Sequence, residues 1–130
     1  MDKKNITILI TDDEHDILDL LRGELSEANC NFNIVTAESG YEALNYIQSE
    51  KVDILITDIA MPDMDGYELY TRSVEIKPDL PIIMMTGFGY DPFHTMVNAK
   101  KAGLRDVIFK PFDMTKILAL IYQIVSEIQE

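Results

Sequence analysis

Ile54-Leu55-Ile56-Thr57-Asp58 runs directly into Ile59-Ala60-Met61-Pro62-Asp63-Met64-Asp65-Gly66. Apolar and β-branched residues lead up to a carboxylate, and a turn-rich segment follows at once. From Val52 to Thr57 the apolar run is nearly continuous, which predicts a strand buried on both faces. Three further runs end in a comparable way. Ile6 to Ile10 enters Thr11-Asp12-Asp13, Ile82 to Met85 enters Thr86-Gly87, and Val107 to Phe109 enters Lys110-Pro111. As parallel neighbours, these strands would gather three carboxylates, a hydroxyl and an ammonium at one edge.

Helical patterns separate the strands. Ile17, Leu18, Leu21, Leu25 and Ala28 recur at 3.6-residue spacing and predict a helix from about Glu14 to Ala28. Phe32 to Val35 reads as a short strand. Ser39 with Glu42 forms a capping box opening a helix that carries Ala43, Leu44 and Ile47. A third helix is predicted from Tyr67 to Ile76, stopped by Pro78. Asp91-Pro92 is a start signal for a fourth, with Lys100 and Lys101 in its last turn and Gly103 just beyond. Asp113 caps a last helix whose stripe is Ile117, Leu120, Ile121, Ile124 and Ile128. Five βα units joined by short connections predict an α/β fold, a parallel sheet with helices on both faces. Ligands of such sheets bind outside the carboxyl ends of the strands.

Composition bounds the partners. The 130 residues suit one domain spanning 1–130, with no low-complexity linker. A net charge of −12 argues against a nucleic-acid or anionic-membrane surface. The single cysteine, Cys30, excludes an intrachain disulfide and fits a reducing cytoplasm; it is expected to pack at the end of the first helix. No apolar run approaches a membrane span, and no signal-peptide core follows Met1. His15 and His94 are isolated and read as surface residues. The methionines read as core filler.

Asp12 and Asp13 taken alone read as helix-capping acids. With Asp58 at the same edge, mutual repulsion favours a hard divalent cation with oxygen ligands. Mg2+ is the cofactor expected, with Asp13 and Asp58 as direct ligands. Asp58 is the nucleophile candidate, because a carboxylate can attack phosphorus to form an acyl phosphate. Lys110 and Thr86 would then serve the phosphoryl oxygens, the lysine by charge and the threonine by a hydrogen bond.

These segments resemble the receiver domain of bacterial two-component response regulators over essentially the whole chain. The resemblance rests on residues 8–14, on Asp58 through Gly66, and on Thr86-Gly87, Ala102-Gly103 and Lys110-Pro111-Phe112. It implies a (βα)5 flavodoxin-like doubly wound sandwich with strand order 2-1-3-4-5, and often a cis Lys110-Pro111 bond. It implies Asp58 as phosphoacceptor, Asp12, Asp13 and the Ala60 backbone carbonyl at the Mg2+ site, and Thr86 and Lys110 against the phosphoryl group. A histidine kinase or histidine phosphotransfer protein would be the donor. Output would pass by protein contact to a downstream partner that the sequence does not name, or through a phosphorylation-dependent homodimer. The chain itself would not be an enzyme beyond transferring phosphate to Asp58 and releasing it.

Two departures stand out. The family commonly has a mobile aromatic ring three positions before the lysine, where this chain has Val107. Phe109 shares the strand parity of Val107 and offers an aromatic surface, although packing against the last helix is the simpler expectation. The stretch from Thr86 to Lys110 is about two residues longer than usual, and Tyr90 and Phe93 there are read either as part of ordinary turn chemistry or as a partner-binding patch or a lid on the site. Thr86, Val107, Phe109, Tyr90 and Phe93 are therefore the switch candidates. Other readings are a non-switching interaction module, a receiver fragment of a hybrid kinase, and a Mg2+-dependent phosphohydrolase. The last is weakened because Ala60 stands where such hydrolases carry a second aspartate.

Overall fold

The computed structural model describes residues 5–87 and 104–128. Its strands are β1 (Ile6–Thr11), β2 (Phe32–Ala37), β3 (Ile54–Asp58), β4 (Ile82–Thr86) and β5 (Leu104–Phe109). Helices α1 (His15–Ala28), α2 (Gly40–Ser49) and α3 (Gly66–Ile76) follow the first three strands, and a C-terminal helix spans Met114–Ile128. The helix expected after Pro92 lies outside the described residues, as do Tyr90 and Phe93. All strand pairings are parallel, in the order β2-β1-β3-β4-β5.

Period-two alternation divides the strands between two cores. Ile8, Ile10, Ile56, Ile83 and Ile108 pack with Leu18, Leu21 and Leu25 of α1 and Ile117, Ile121 and Ile124 of the C-terminal helix. On the opposite face Leu9, Leu55 and Ile82 pack with Ala43, Leu44 and Ile47 of α2 and Leu69 of α3. Every residue of β3 is buried, as its unbroken apolar run requires. Each fully buried leucine or isoleucine contributes about 1.5–3 kcal/mol.

Local signals set most boundaries. The Ser39 hydroxyl accepts the Glu42 amide at 3.1 Å, and Asp65 accepts the Glu68 amide at 2.9 Å at the start of α3. Asp113 accepts the Thr115 amide at 3.0 Å just before the C-terminal helix. Four methionines, Met61, Met64, Met84 and Met85, are core residues.

Some expectations are corrected. Ala28, read as part of the apolar face of α1, is exposed at the end of that helix. Cys30 is exposed rather than packed. Beside it the Asn29 side chain accepts the Asn31 amide at 2.8 Å, a turn that carries the chain over the surface into β2. β5 begins three residues earlier than its apolar run. Its register against β4 skips Arg105, a bulge that frees this side chain to pair with Glu127 of the C-terminal helix, Nη1 to Oε1 at 2.6 Å.

Candidate functional site

The carboxyl ends of neighbouring strands are tied together in three pairs by backbone hydrogen bonds. The Asp12 amide donates to Ala37, the Ile59 amide to Met85, and the Lys110 amide to Thr86 at 2.8 Å. Asp58 ends β3 opposite Met85, and Thr86 ends β4 opposite Phe109. A cis peptide links Lys110 and Pro111.

The segment after Asp58 folds tightly over α3. The Gly66 amide donates to the Ile59 carbonyl at 2.8 Å. A Cβ at Gly66 would lie 2.5 Å from the Asp58 carbonyl oxygen, so only glycine permits this approach. Asp63 adopts φ 68, a left-handed conformation that a short polar side chain tolerates. Met64 is buried while Ala60 remains exposed beside the cleft.

Three sequence-predicted acids converge here. Oxygen atoms of Asp12, Asp13 and Asp58 all lie within 4.8 Å of one another. Asp12 and Asp58 are 0% and 3% exposed, whereas Asp13 faces solvent. Lys110 Nζ lies 2.9 Å from Asp12 Oδ2, 3.3 Å from Asp58 Oδ1 and 3.7 Å from Glu14 Oε1. Asp12 Oδ1 also accepts the Glu14 amide at 3.0 Å, so Asp12 serves both the pocket and the start of α1. Thr86 is buried, and among the described residues its hydroxyl makes only a long 3.5 Å bond to the Gly87 carbonyl. The cleft of about 530 Å³ is lined by Asp13, Glu14, Asp58, Ala60, Gly87 and Lys110, among others.

Burial is the main electrostatic influence on the pocket's carboxyls. Burial pushes the Asp58 carboxyl up from 3.8 to about 6, the Asp12 charge adds to that, and Lys110 pulls the other way. Asp12 is raised as well, because burial outweighs its hydrogen bonds from Lys110 and the Glu14 amide. For Lys110 burial acts downward, but the hydrogen bond and charge of Asp12 and the charge of Asp58 outweigh it, leaving the ammonium raised. The pocket can bind a cation or a phosphoryl group, and Asp58 is the buried carboxylate that lines the cleft and so its nucleophile candidate.

The switch candidates separate. Val107 is 4% exposed and packs with Ile59 and Met84 under Tyr67 and Tyr70 of α3. Phe109 is 46% exposed, which overturns its expected packing against the last helix. Strand alternation is the reason: Ile108 faces that helix, so Phe109 turns to the other side and presents an aromatic surface. Sequence reading missed the approach of Glu14 to Lys110. Its only signal was a third acid in the Asp12-Asp13-Glu14 run, read as helix capping.

A doubly wound parallel sheet with an acidic pocket and one lysine at its carboxyl edge is the architecture of a signalling receiver. The response regulator receiver domain model matches residues 8–122. The chain is 35% identical over 113 residues to the transcriptional regulatory protein GlrR of Escherichia coli, covering 87% of this chain and 24% of that protein. Against the DNA-binding transcriptional regulator NtrC of Klebsiella pneumoniae it is 35% identical over 121 residues, covering 93% and 25%. Thus it spans about a quarter of the length of these relatives. A CheY-like receiver domain protein of Methanospirillum hungatei superposes with TM-score 0.85 at 30% identity, covering 94% of each chain. This chain belongs to the response regulator receiver domain family of two-component systems.

Proposed function

We propose that Asp58 accepts a phosphoryl group from a histidine kinase or histidine phosphotransfer protein, with Asp12, Asp13, Asp58 and the Ala60 carbonyl holding Mg2+. One observation carries the reading: a single ammonium is shared by two buried carboxylates, 2.9 Å from Asp12 and 3.3 Å from Asp58, at the wall of an open cleft. The residues fit the cation. They offer hard oxygen donors within 4.8 Å of one another, and burial, with the neighbouring Asp12 charge second, raises the Asp58 carboxyl, a penalty that a bound cation would relieve. Bound Mg2+ supplies neutralising charge at the phosphoryl oxygens.

In the transfer, an Asp58 oxygen forms a bond to phosphorus. The phosphorus–nitrogen bond to the donor histidine breaks, and its electron pair leaves on that imidazole. Lys110 moves from sharing Asp58 to balancing the phosphoryl charge, and the weakly held Thr86 hydroxyl donates to a phosphoryl oxygen. Hydrolysis of the acyl phosphate resets the site, so the chain acts as a self-modifying switch rather than a multiple-turnover enzyme. Output through protein contacts, and a cytoplasmic setting, accompany this role. Among the described residues no helix is long and apolar enough to cross a membrane.

Incubation with acetyl phosphate and Mg2+, followed by intact-mass analysis, tests the proposal. A single phosphate adduct is expected on the wild type, and none after Asp58→Asn or in excess EDTA. An adduct that persists on Asp58→Asn would move the acceptor elsewhere.

A further inference from the structure

Three carboxylates share Lys110, but only two of them are fixed. Asp12 and Asp58 are buried, and their strands are bonded to neighbours on both sides. Glu14 differs. Its backbone occupies the N-cap of α1, yet its side chain makes no capping hydrogen bond. The carboxylate instead reaches into the cleft, 3.7 Å from Lys110 Nζ, while its side chain stays 64% exposed. It is therefore an anion that can rest on the lysine and leave without disturbing the fold.

We propose that Glu14 is a donor-discriminating residue of this pocket: its carboxylate sits on Lys110 as a placeholder anion and slows phosphorylation by highly charged donors. The inference rests on the phosphoacceptor reading of Asp58. An incoming phosphoryl group needs Lys110 and must displace Glu14, whose charge stays at the mouth of the cleft. At about 5 Å in a high dielectric, like unit charges disfavour one another by roughly four-fold in rate or affinity. Glu14 exchanges no atom in the reaction. With acetyl phosphate, Asp58 forms the bond to phosphorus and acetate departs with the electron pair of the broken phosphorus–oxygen bond.

The test measures initial phosphorylation rates of the full chain at saturating Mg2+ for wild type, Glu14→Gln and Glu14→Asp. The donors are acetyl phosphate and phosphoramidate, the latter of lower net negative charge, at ionic strengths of about 0.01 M and about 1 M. With acetyl phosphate at low salt, Glu14→Gln is expected to react about three- to ten-fold faster than wild type. That gain should shrink with phosphoramidate and nearly vanish at high salt, where the screening length is about 3 Å. Glu14→Asp, which keeps the charge, should stay within about two-fold of wild type. Equal rates for Glu14→Gln and wild type, a gain independent of salt, or Glu14→Asp as fast as Glu14→Gln would each overturn the inference while leaving Asp58 as acceptor. If wild type forms no adduct with either donor, the phosphoacceptor reading itself falls and takes this inference with it.

Discussion

At the β1–β3 end of the carboxyl edge, the buried charges are held by a counter-ion. Asp12 and Asp58 share the Lys110 ammonium, which reaches across from the end of β5. At the β4–β5 flank the opposite holds. Among the described residues the Thr86 hydroxyl has one long bond and the Tyr70 hydroxyl is buried without a hydrogen-bond partner, while Phe109 is largely exposed. Chemistry needs fixed positions, because phosphoryl transfer depends on placement and charge. Relaying a signal instead needs groups whose partners can change, because a ligand moves an equilibrium only through differential contacts. The contrast assigns binding to the first region and freedom to rearrange to the second.

The largest expected effect strikes the well-held end. Lys110→Met leaves Asp12 and Asp58 buried without their counter-ion. Removing one partner of a buried pair costs about 3–5 kcal/mol, and because Lys110 holds the Asp58 carboxyl down, its loss would raise that carboxyl further and let proton uptake keep the cost near the lower figure. Urea denaturation at pH 8 in EDTA should show a loss of about 3 kcal/mol. A loss below about 0.5 kcal/mol, the usual size for an unremarkable surface change, would mean that the two ends are held alike.

A smaller effect follows from pH. The Asp58 carboxyl is raised in the folded protein, from 3.8 to about 6, so the native state binds its proton more readily than the unfolded chain. Its contribution to stability is fully present below about pH 4 and is lost as pH rises through about 6. One pKa unit corresponds to about 1.4 kcal/mol, which makes the loss about 2–3 kcal/mol in chelator. Asp58→Asn should remove this component, so the wild-type and variant stability curves converge near pH 4, diverge between about pH 4 and 6, and stay apart above pH 6 with the variant higher. Added Mg2+ should close the gap by stabilising the wild type. Parallel curves from pH 4 to 8 would contradict the burial penalty assigned to the Asp58 carboxyl.

The contrast also explains what could be read from the sequence. Strand ends are legible, because an apolar run followed by Asp12, Asp58, Thr86 or Lys110 marks both the element and its polar terminus. The pocket follows from that, whereas the strand order is what the family resemblance implies and the Ser39 cap is read from its own capping box with Glu42. Less legible is whatever depends on who faces whom. Arg105 and Asp106 hide the start of β5, since a bulged strand that pairs charges with the C-terminal helix lacks an apolar pattern. Glu14 looks like one more helix-start acid until Lys110, distant in sequence, arrives beside it. Val107 draws attention as a missing ring, but nothing local reveals that two tyrosines of α3 lie over it.

Those tyrosines supply the smallest prediction and the one most specific to the looser flank. Tyr70 packs over the Val107 and Met84 cluster, with its hydroxyl shielded from water and unpartnered among the described residues. A buried hydroxyl without a partner costs about 1–3 kcal/mol, part of which is offset by the packing of its ring. Tyr70→Phe keeps the ring and deletes the strained group, so it should leave the resting protein as stable as wild type or stabilise it by up to about 1 kcal/mol. The same comparison with Mg2+ and beryllofluoride reports on the relay. If Tyr70 gains a partner when the pocket fills, the variant's advantage should shrink or reverse in the filled state. An advantage of equal size in both states would make the Tyr70 side chain a passive part of the core, and would shift the search for moving contacts to Phe109.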